Sequence, residues 1–121
     1  MATGKPRTVD ELLPLKPLHF LMLVALAEGD RHAYGLKKDL SQQHDYRDIG
    51  PGTLYRTIDQ LLDAGLIQEA ARRPAPELDD ERRRYYRLTA FGRKVAVAEA
   101  DRLADLLKAA AVRRLVSGSR A

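Results

Sequence analysis

The most regular alternation of apolar and polar positions lies in residues 51–64. The apolar residues recur at i, i+4, i+7 and i+8, the spacing of one helical stripe: Leu54, Ile58, Leu61 and Leu62. Pro51 suits the first turn, because the N–H that it lacks would have no partner there. We expect Gly65 to end this helix. At about 100° per residue, the stripe leaves Tyr55 on its flank and places four polar residues opposite: Thr53, Arg56, Thr57 and Gln60.

The N-terminal part of the chain predicts a disordered tail and two helices. Thr8 and Glu11 have the spacing of a capping box, so a short helix is expected to end at Pro14. Pro17 can occupy the first position of a second helix, and Gly29 lies beyond its end. This second helix is apolar on nearly every side, which predicts that it is buried on more than one face.

A third helix and a β-hairpin are predicted on either side of residues 51–64. The helix covers about residues 33–43. The strands are expected at 66–73 and 82–88, joined by a loop with two prolines and a run of acids. Alternation along the second strand places Arg84, Tyr86 and Leu88 on one side, with Tyr86 in the core, and Arg83, Tyr85 and Arg87 on the other. The predicted fold class is therefore mainly α with a small β-hairpin.

A long final helix is expected to begin after Thr89, a good N-cap residue. Its apolar positions are spaced 4, 3, 4 and 3, which resembles a short coiled-coil seam: Ala96, Ala100, Leu103, Leu107 and Ala110. Such a seam serves either packing within the chain or a homodimer interface. A terminal helix that follows a complete small domain favours the dimer.

The composition excludes several classes of site. The 121 residues include no Cys, which rules out disulfides and thiolate metal sites and fits a reducing compartment. His19, His32 and His44 share no metal-ligand spacing and are interpreted as structural or surface residues. No phosphate-binding loop, nucleophile motif or convincing pair of carboxylates is found, so we expect no enzyme, cofactor or metal.

The apolar segments are too short for a membrane protein. The longest apolar run, 20–27, cannot cross a bilayer, and the N-terminus lacks the apolar stretch of a signal peptide. A cytoplasmic chain without a membrane partner is therefore expected.

Charge is more informative in its placement than in its total. The net charge of +4 is by itself a weak indication of nucleic-acid binding. Residues 82–94, however, contain six cations and no acid, directly after the acidic run 77–81. This segregation favours a functional surface, although a solvated charge run is the commoner explanation.

The polar side of the helix at 51–64 fits DNA. Arg, Gln and Thr side chains are among those that reach base edges in the major groove. The helix follows another helix after a turn, which is the order of a helix-turn-helix. Its Pro-Gly start leaves N–H groups that can bind a phosphate. An ordinary surface helix would show the same polar side, so the context carries the interpretation.

Three segments resemble, in order and spacing, the signature segments of PadR-family transcriptional regulators: HAYGL (32–36), GTLYRTIDQLLDAGLI (52–67) and RRRYYRLTAFGR (82–93). The resemblance covers about residues 17–95. It implies a winged helix-turn-helix, with a recognition helix at 51–64, a wing at 66–88 and a C-terminal helix that exchanges contacts with a second subunit. Family members are dimeric regulators, usually repressors, which bind inverted repeats in double-stranded DNA and often control their own operon.

The single helix after the wing is similar to the small subfamily, some of whose members bind aromatic or drug-like molecules between the first and last helices of the dimer. The chain departs from the family pattern in three places. Ala33 stands where the family often has Gly, the wing carries an acidic tip with two prolines, and no Trp is available to stack on a ligand.

The implied domains are an N-terminal tail and short helix in 1–16, a winged helix-turn-helix DNA-binding domain in 17–88, and a C-terminal dimerisation helix with a frayed tail in 89–121. Contacts with the base edges are assigned to Thr53, Arg56 and Gln60. Phosphate contacts are assigned to Tyr34, Lys37, Gly52 and Tyr55, and Arg83 is expected to anchor the wing. An effector cavity, or a dry dimer core, would be lined by Leu13, Leu18, Leu103 and Leu107. The alternative function is a winged-helix adaptor that binds protein and has no DNA target.

Overall fold

The computed structural model describes residues 7–70 and 84–116, apart from the side chain of His44. Within these residues, the α-helices and short strands follow one another in this order: α1 (Pro17–Ala27), β1 (Arg31–His32), α2 (Ala33–Leu40), α3 (Pro51–Asp63), β2 (Ile67–Glu69), β3 (Tyr85–Leu88) and α4 (Ala90–Val112). Short 3-10 helices lie at Asp10–Leu12 and His44–Tyr46. The chain is therefore mainly helical with a small antiparallel sheet.

The start of the fold follows the local signals in the sequence. The capping box forms, since Thr8 N donates to Glu11 Oε1 at 2.9 Å and Glu11 N donates to Thr8 Oγ1 at 3.2 Å. Pro17 begins α1, and Met22 and Leu23 of this helix are fully buried. After α1, Gly29 adopts a φ of 152°, a conformation that side chains disfavour, and turns the chain into β1.

Within the described residues, the sheet has three strands in the order β1-β3-β2, whereas the sequence predicted a two-stranded hairpin. β1 pairs with β3 in antiparallel register, with Arg31 opposite Tyr86. On the other side of β3, Ile67 of β2 lies opposite Leu88. A strand of two residues is too short to show alternation, so β1 could be found only from its pairing with a distant part of the chain.

Other elements are shorter than predicted. The helix expected at 33–43 ends at Leu40, where Ser41 Oγ donates to the Lys38 carbonyl at 2.6 Å. The strands expected at 66–73 and 82–88 are limited to β2 and β3 among the described residues. The acidic loop between them, and Arg83, lie outside the described residues.

The helix expected at 51–64 is α3, and its end is confirmed. Gly65 has a φ of 76°, and Leu66 N donates to the Leu61 carbonyl at 3.0 Å, which closes the helix as glycine commonly does. Thr57, predicted to be exposed opposite the apolar stripe, is instead buried at 4% exposure. Its hydroxyl donates to the Thr53 carbonyl at 2.8 Å, so its polar atom is satisfied within the helix while its side chain lies in the core.

The core lies where α1, α2, α3 and the sheet meet. Its largest fully buried apolar side chains come from the helices α1 to α4 and from the residue before β2: Met22, Leu23, Leu36, Leu40, Ile58, Leu61, Leu66 and Val95. Tyr86 is buried at 7% exposure, which confirms its predicted place. Thr89 caps α4 as predicted, since its Oγ1 accepts from Gly92 N at 2.8 Å. Its hydroxyl also donates to the Gly65 carbonyl at 2.7 Å, which joins α4 to the end of α3.

Candidate nucleic-acid interface

Helix α3 is held by its apolar side and is open on its polar side. Leu54, Ile58 and Leu61 are each at most 3% exposed. Arg56 is exposed near the middle of the opposite side. Thr53 and Gln60 are exposed on one flank, and Tyr55, at 53% exposure, lies on the other. The residues expected to contact DNA from this helix are therefore all accessible.

The N-terminus of α3 carries no side-chain cap. Gly50 is the N-cap residue, and no side chain of the described part of the chain accepts from the N–H groups of the first turn. Gly52 is exposed, and a Cβ built on it would have no neighbour within 4 Å. Backbone N–H groups and the positive end of the helix dipole are therefore accessible at the surface, as anion binding requires.

Gln60 is fixed by a contact that the sequence did not reveal. Its Oε1 lies 3.1 Å from His19 Nε2 of α1, across 41 residues of sequence. His19 is half-buried, and this burial is the main cause that lowers its pKa; the hydrogen bond to Gln60 acts in the opposite direction, and nearby Lys16 also lowers it. A lowered pKa favours a neutral imidazole at neutral pH.

Two carboxylates, Asp59 and Asp63, also stand on the exposed side of α3. At about 100° per residue, both carboxylates lie beside Arg56 on the helix surface. Their position could therefore have been predicted from the sequence in the same way as that of Arg56. Acidic side chains repel phosphates but can accept a hydrogen bond from the cytosine amino group. The outer side of α3 is therefore mixed in charge.

At the start of α2, Tyr34 is 64% exposed and Lys37 is half-buried. His32 caps this helix, because its Nδ1 accepts from Gly35 N at 3.0 Å. The His32 ring also stacks on Tyr34 at 6.4 Å and meets the edge of Tyr85 at 5.0 Å. These contacts give His32 the structural role predicted for it and connect α2 to β3.

The arginines of the strand region are partly neutralised. Arg87 Nη2 donates to Asp30 Oδ2 at 2.9 Å, which raises the pKa of the guanidinium. Arg84 lies 3.4 Å from the Glu69 carboxylate, and both side chains are mostly exposed. Arg87 thus ties β3 to the turn before β1, and its charge is paired within the chain. Arg83, the residue assigned to the wing, lies outside the described residues.

The seam residues of α4 fall into two groups. Ala96 packs against the core of its own chain, and Leu103 is half-buried. Ala100 and Leu107 are exposed, the latter at 59%, and Ala110 is half-buried. Leu106, at 54% exposure, stands beside Leu107 and was not part of the predicted seam. The exposed apolar surface is therefore concentrated in the second half of α4.

Two cavities contain residues expected to bind an effector. A cavity of about 440 Å³ lies between α1 and α4, and Leu103 lines it together with Phe20, Tyr46 and the Glu99–Arg102 pair. A second, of about 360 Å³, is lined by Leu18, Thr53 and the turn before α3. Leu13 and Leu107 line neither of these two cavities. Of the residues predicted to line an effector site, Leu103 therefore both lines a cavity and lies next to the exposed leucines of α4.

Glu99 is a buried charge at that cavity, with 2% exposure. Arg102 donates to both of its carboxylate oxygens at 2.8 Å, and this is the main cause that lowers the pKa of Glu99. Burial acts in the opposite direction, and a hydrogen bond from the Leu15 backbone adds to the lowering.

Within the described residues, no group of three or more His, Asp or Glu side chains could hold a metal ion. The described helices include none that is long and apolar enough to cross a membrane.

The sequence model of the transcriptional regulator PadR-like family matches residues 22–98. The chain belongs to this family. The matched region contains α2, α3, the described strands β1 to β3 and the first part of α4. The predicted resemblance is confirmed, and the chain is a DNA-binding transcriptional regulator of the PadR type rather than an enzyme.

Solved structures support the PadR fold. A transcriptional regulator from Clostridium thermocellum is 25% identical, with 82% of this chain and 90% of that chain covered and a TM-score of 0.62. RosR from H. salinarum is also 25% identical, with 80% and 78% covered and a TM-score of 0.60. A PadR family regulator from Clostridium difficile, at 20% identity, shares the fold over 78% of this chain and 95% of that chain, with a TM-score of 0.65. No curated protein sequence matches this chain.

Proposed function

We propose that this PadR-family regulator is a homodimeric repressor that binds an inverted-repeat operator, with one α3 helix in the major groove of each half-site. The observation that carries the proposal is the exposed position of Arg56 on a helix that is anchored by its buried apolar side. A guanidinium can donate two hydrogen bonds to a guanine, the commonest specific contact in the major groove. Arg56 is therefore assigned the largest share of sequence specificity.

The remaining contacts divide between bases and phosphates. Thr53 and Gln60 lie on the flank of α3 next to Arg56 and are assigned to base edges. The open N–H groups near Gly52, with Tyr34, Lys37 and Tyr55, are assigned to phosphates, which fix the position of the protein on the duplex. Arg83 is assigned to the wing. The described members of this set are exposed, apart from the half-buried Lys37, and this supports the assignment.

Dimerisation is assigned to α4. In the second half of this helix, Leu103, Leu106, Leu107 and Ala110 have the spacing i, i+3, i+4 and i+7, which places them on one side. Leu106 and Leu107 are each more than half exposed, although leucine is normally buried. A second copy of the chain would cover this surface together with Ala96 and Ala100, and a two-fold dimer would match the symmetry of an inverted repeat.

Regulation is assigned to the promoter of the chain's own or an adjacent operon. Relief of repression is assigned to a small aromatic or drug-like ligand that binds between α1 and α4. The cavity beside Leu103 supports this assignment, because it combines aromatic rings with a charged pair. Such a ligand would act by binding more tightly to one spacing of the two α3 helices than to another, since only differential affinity shifts a conformational equilibrium.

The proposal is tested by fluorescence anisotropy with the DNA upstream of the chain's own gene and with a shuffled duplex, each at several salt concentrations. We expect tighter binding to the upstream DNA, two chains per site, and an affinity that falls steeply with salt because counterions are released. Equal affinity for the two duplexes would overturn control of its own operon. Absence of binding even at low salt would favour a protein-binding adaptor instead.

A further inference from the structure

The contact between His19 and Gln60 joins the first helix of the fold to the DNA-facing flank of α3. His19 Nε2 and Gln60 Oε1 are 3.1 Å apart. His19 is half-buried on α1, whereas Gln60 is exposed. α1 belongs to the buried core, with Met22 and Leu23 inaccessible to solvent. The imidazole is therefore carried by a rigid element, while the amide that it holds lies at the surface.

The hydrogen bond fixes the roles of both groups. Gln60 Oε1 is an acceptor, so His19 donates from Nε2–H and its neutral form is held in that tautomer. The carbonyl oxygen of Gln60 then points toward α1. The two N–H groups on Gln60 Nε2 have no acceptor among the described residues, and the amide oxygen keeps its second lone pair. These are the parts of this side chain that remain for a ligand.

A glutamine that is free to turn recognises adenine through both ends of its amide, because it accepts from N6 and donates to N7. Gln60 can still present both ends to one base, because the hydrogen bond from His19 occupies only one of the two lone pairs of its oxygen. We propose that His19 is a positioning residue for base recognition, because it fixes the orientation of the Gln60 amide and leaves its second lone pair and its N–H groups for a base. Gln60 then favours adenine, which donates from N6 to the amide oxygen and accepts at N7 from the amide N–H. This inference rests on the proposed insertion of α3 into DNA.

The test measures base preference, which a purely structural role of His19 would leave unchanged. A randomised duplex library is selected with the wild-type protein and with three variants, His19→Leu, His19→Gln and Gln60→Ala. The leucine variant keeps the size of the side chain but removes the donor. The glutamine variant restores a donor at about the position of Nε2. We expect an adenine preference at one position of the wild-type site, a weaker preference at that position in His19→Leu, and recovery in His19→Gln.

Affinity for the selected site gives a second readout. Loss of one hydrogen bond predicts that His19→Leu binds about threefold to tenfold more weakly. The same substitution should have no further effect in a Gln60→Ala background, because His19 acts through Gln60. Equal weakening in both backgrounds, or a base preference unchanged by His19→Leu, would overturn the inference.

The Arg56→Ala variant, measured in parallel, separates the inference from the function on which it rests. If α3 binds the bases but His19 does not orient Gln60, Arg56→Ala and Gln60→Ala each alter one position and His19→Leu alters none. If α3 does not bind the bases, none of these variants alters the preference at any position. Thermal unfolding of each variant, followed by circular dichroism, verifies that it is folded.

Discussion

Gly92 in the first turn of α4 lies directly against the backbone carbonyl of Leu66. A Cβ built on Gly92 would overlap with the Leu66 oxygen and would come within 2.9 Å of the Leu88 side chain. The same carbonyl accepts from Thr89 N at 3.1 Å, so the approach is held by a hydrogen bond. Thr89 and Gly92 form the Thr-x-x-Gly pattern of the segment that resembles the PadR family. The glycine is therefore required where α4 packs against the backbone just before β2.

Substitution of Gly92 with Ala is expected to destabilise the fold by about 3 kcal/mol, the upper end of the range for overpacked sites, because a main-chain carbonyl cannot rotate away. Urea unfolding followed by circular dichroism measures the change. Gly52→Ala is the matched control, since its Cβ has open space and lies in a helix, and we expect a stability within about 1 kcal/mol of wild type. Similar midpoints for both variants would contradict the contact.

Glu99 is expected to make stability depend on pH. Its pKa is lower in the folded chain because Arg102 donates to both carboxylate oxygens. Its contribution is therefore present above the unfolded pKa, near 4.5, and is lost as the pH falls through the lower folded value. Glu99→Gln should cost about 1–3 kcal/mol at pH 7. This difference from wild type should shrink as the pH falls toward 3.

Urea unfolding at a series of pH values between about 7 and 3 measures this difference. Asp101→Asn, which removes an exposed carboxylate of the same helix, is the control and should follow the wild-type curve. A constant difference between wild type and Glu99→Gln across the series would show that the buried pair does not titrate with folding.

Arg56→Ala is expected to cost on the order of 1–3 kcal/mol of DNA-binding free energy and to relax the preference at one base position. Lys37→Ala provides the comparison, because a phosphate contact carries no base information. It should weaken binding to all sequences alike and reduce the salt slope by about 1. Anisotropy titrations with the selected site and its single-base variants measure both effects. An unchanged base preference in Arg56→Ala would remove this residue from the base-contacting set.

Leu107→Asp is expected to dissociate the proposed dimer, because a carboxylate would be buried in an apolar interface without a partner. The dissociation constant should rise by at least about 100-fold. Analytical ultracentrifugation over a range of concentrations measures it. Val97→Asp is the control, since Val97 is 55% exposed on a different side of α4. Equal dissociation by both substitutions, or by neither, would exclude the second half of α4 as the interface.

Local signals in the sequence determined the helices and most of their ends. The capping box at Thr8, the proline at the start of α3, the left-handed glycine at its end and the Thr89 cap each act within about four residues, so their partners are present in the same stretch of sequence. The three signature segments added the family and the winged helix-turn-helix order. Helical periodicity predicted the exposed position of Arg56. The same periodicity also places Asp59 on that side, although the sequence analysis did not include it.

Tertiary structure decided what depends on residues far apart in the chain. β1 exists because β3 pairs with it, and Thr57 is buried because α3 packs slightly turned from the position that its leucine stripe predicted. The hydrogen bond of His19 to Gln60 spans 41 residues and requires that α1 and α3 lie side by side. The sequence pattern gives the polarity of each position, but it does not show which distant positions come into contact. The contacts of His19 with Gln60 and of Arg87 with Asp30 therefore depend on how the elements pack together.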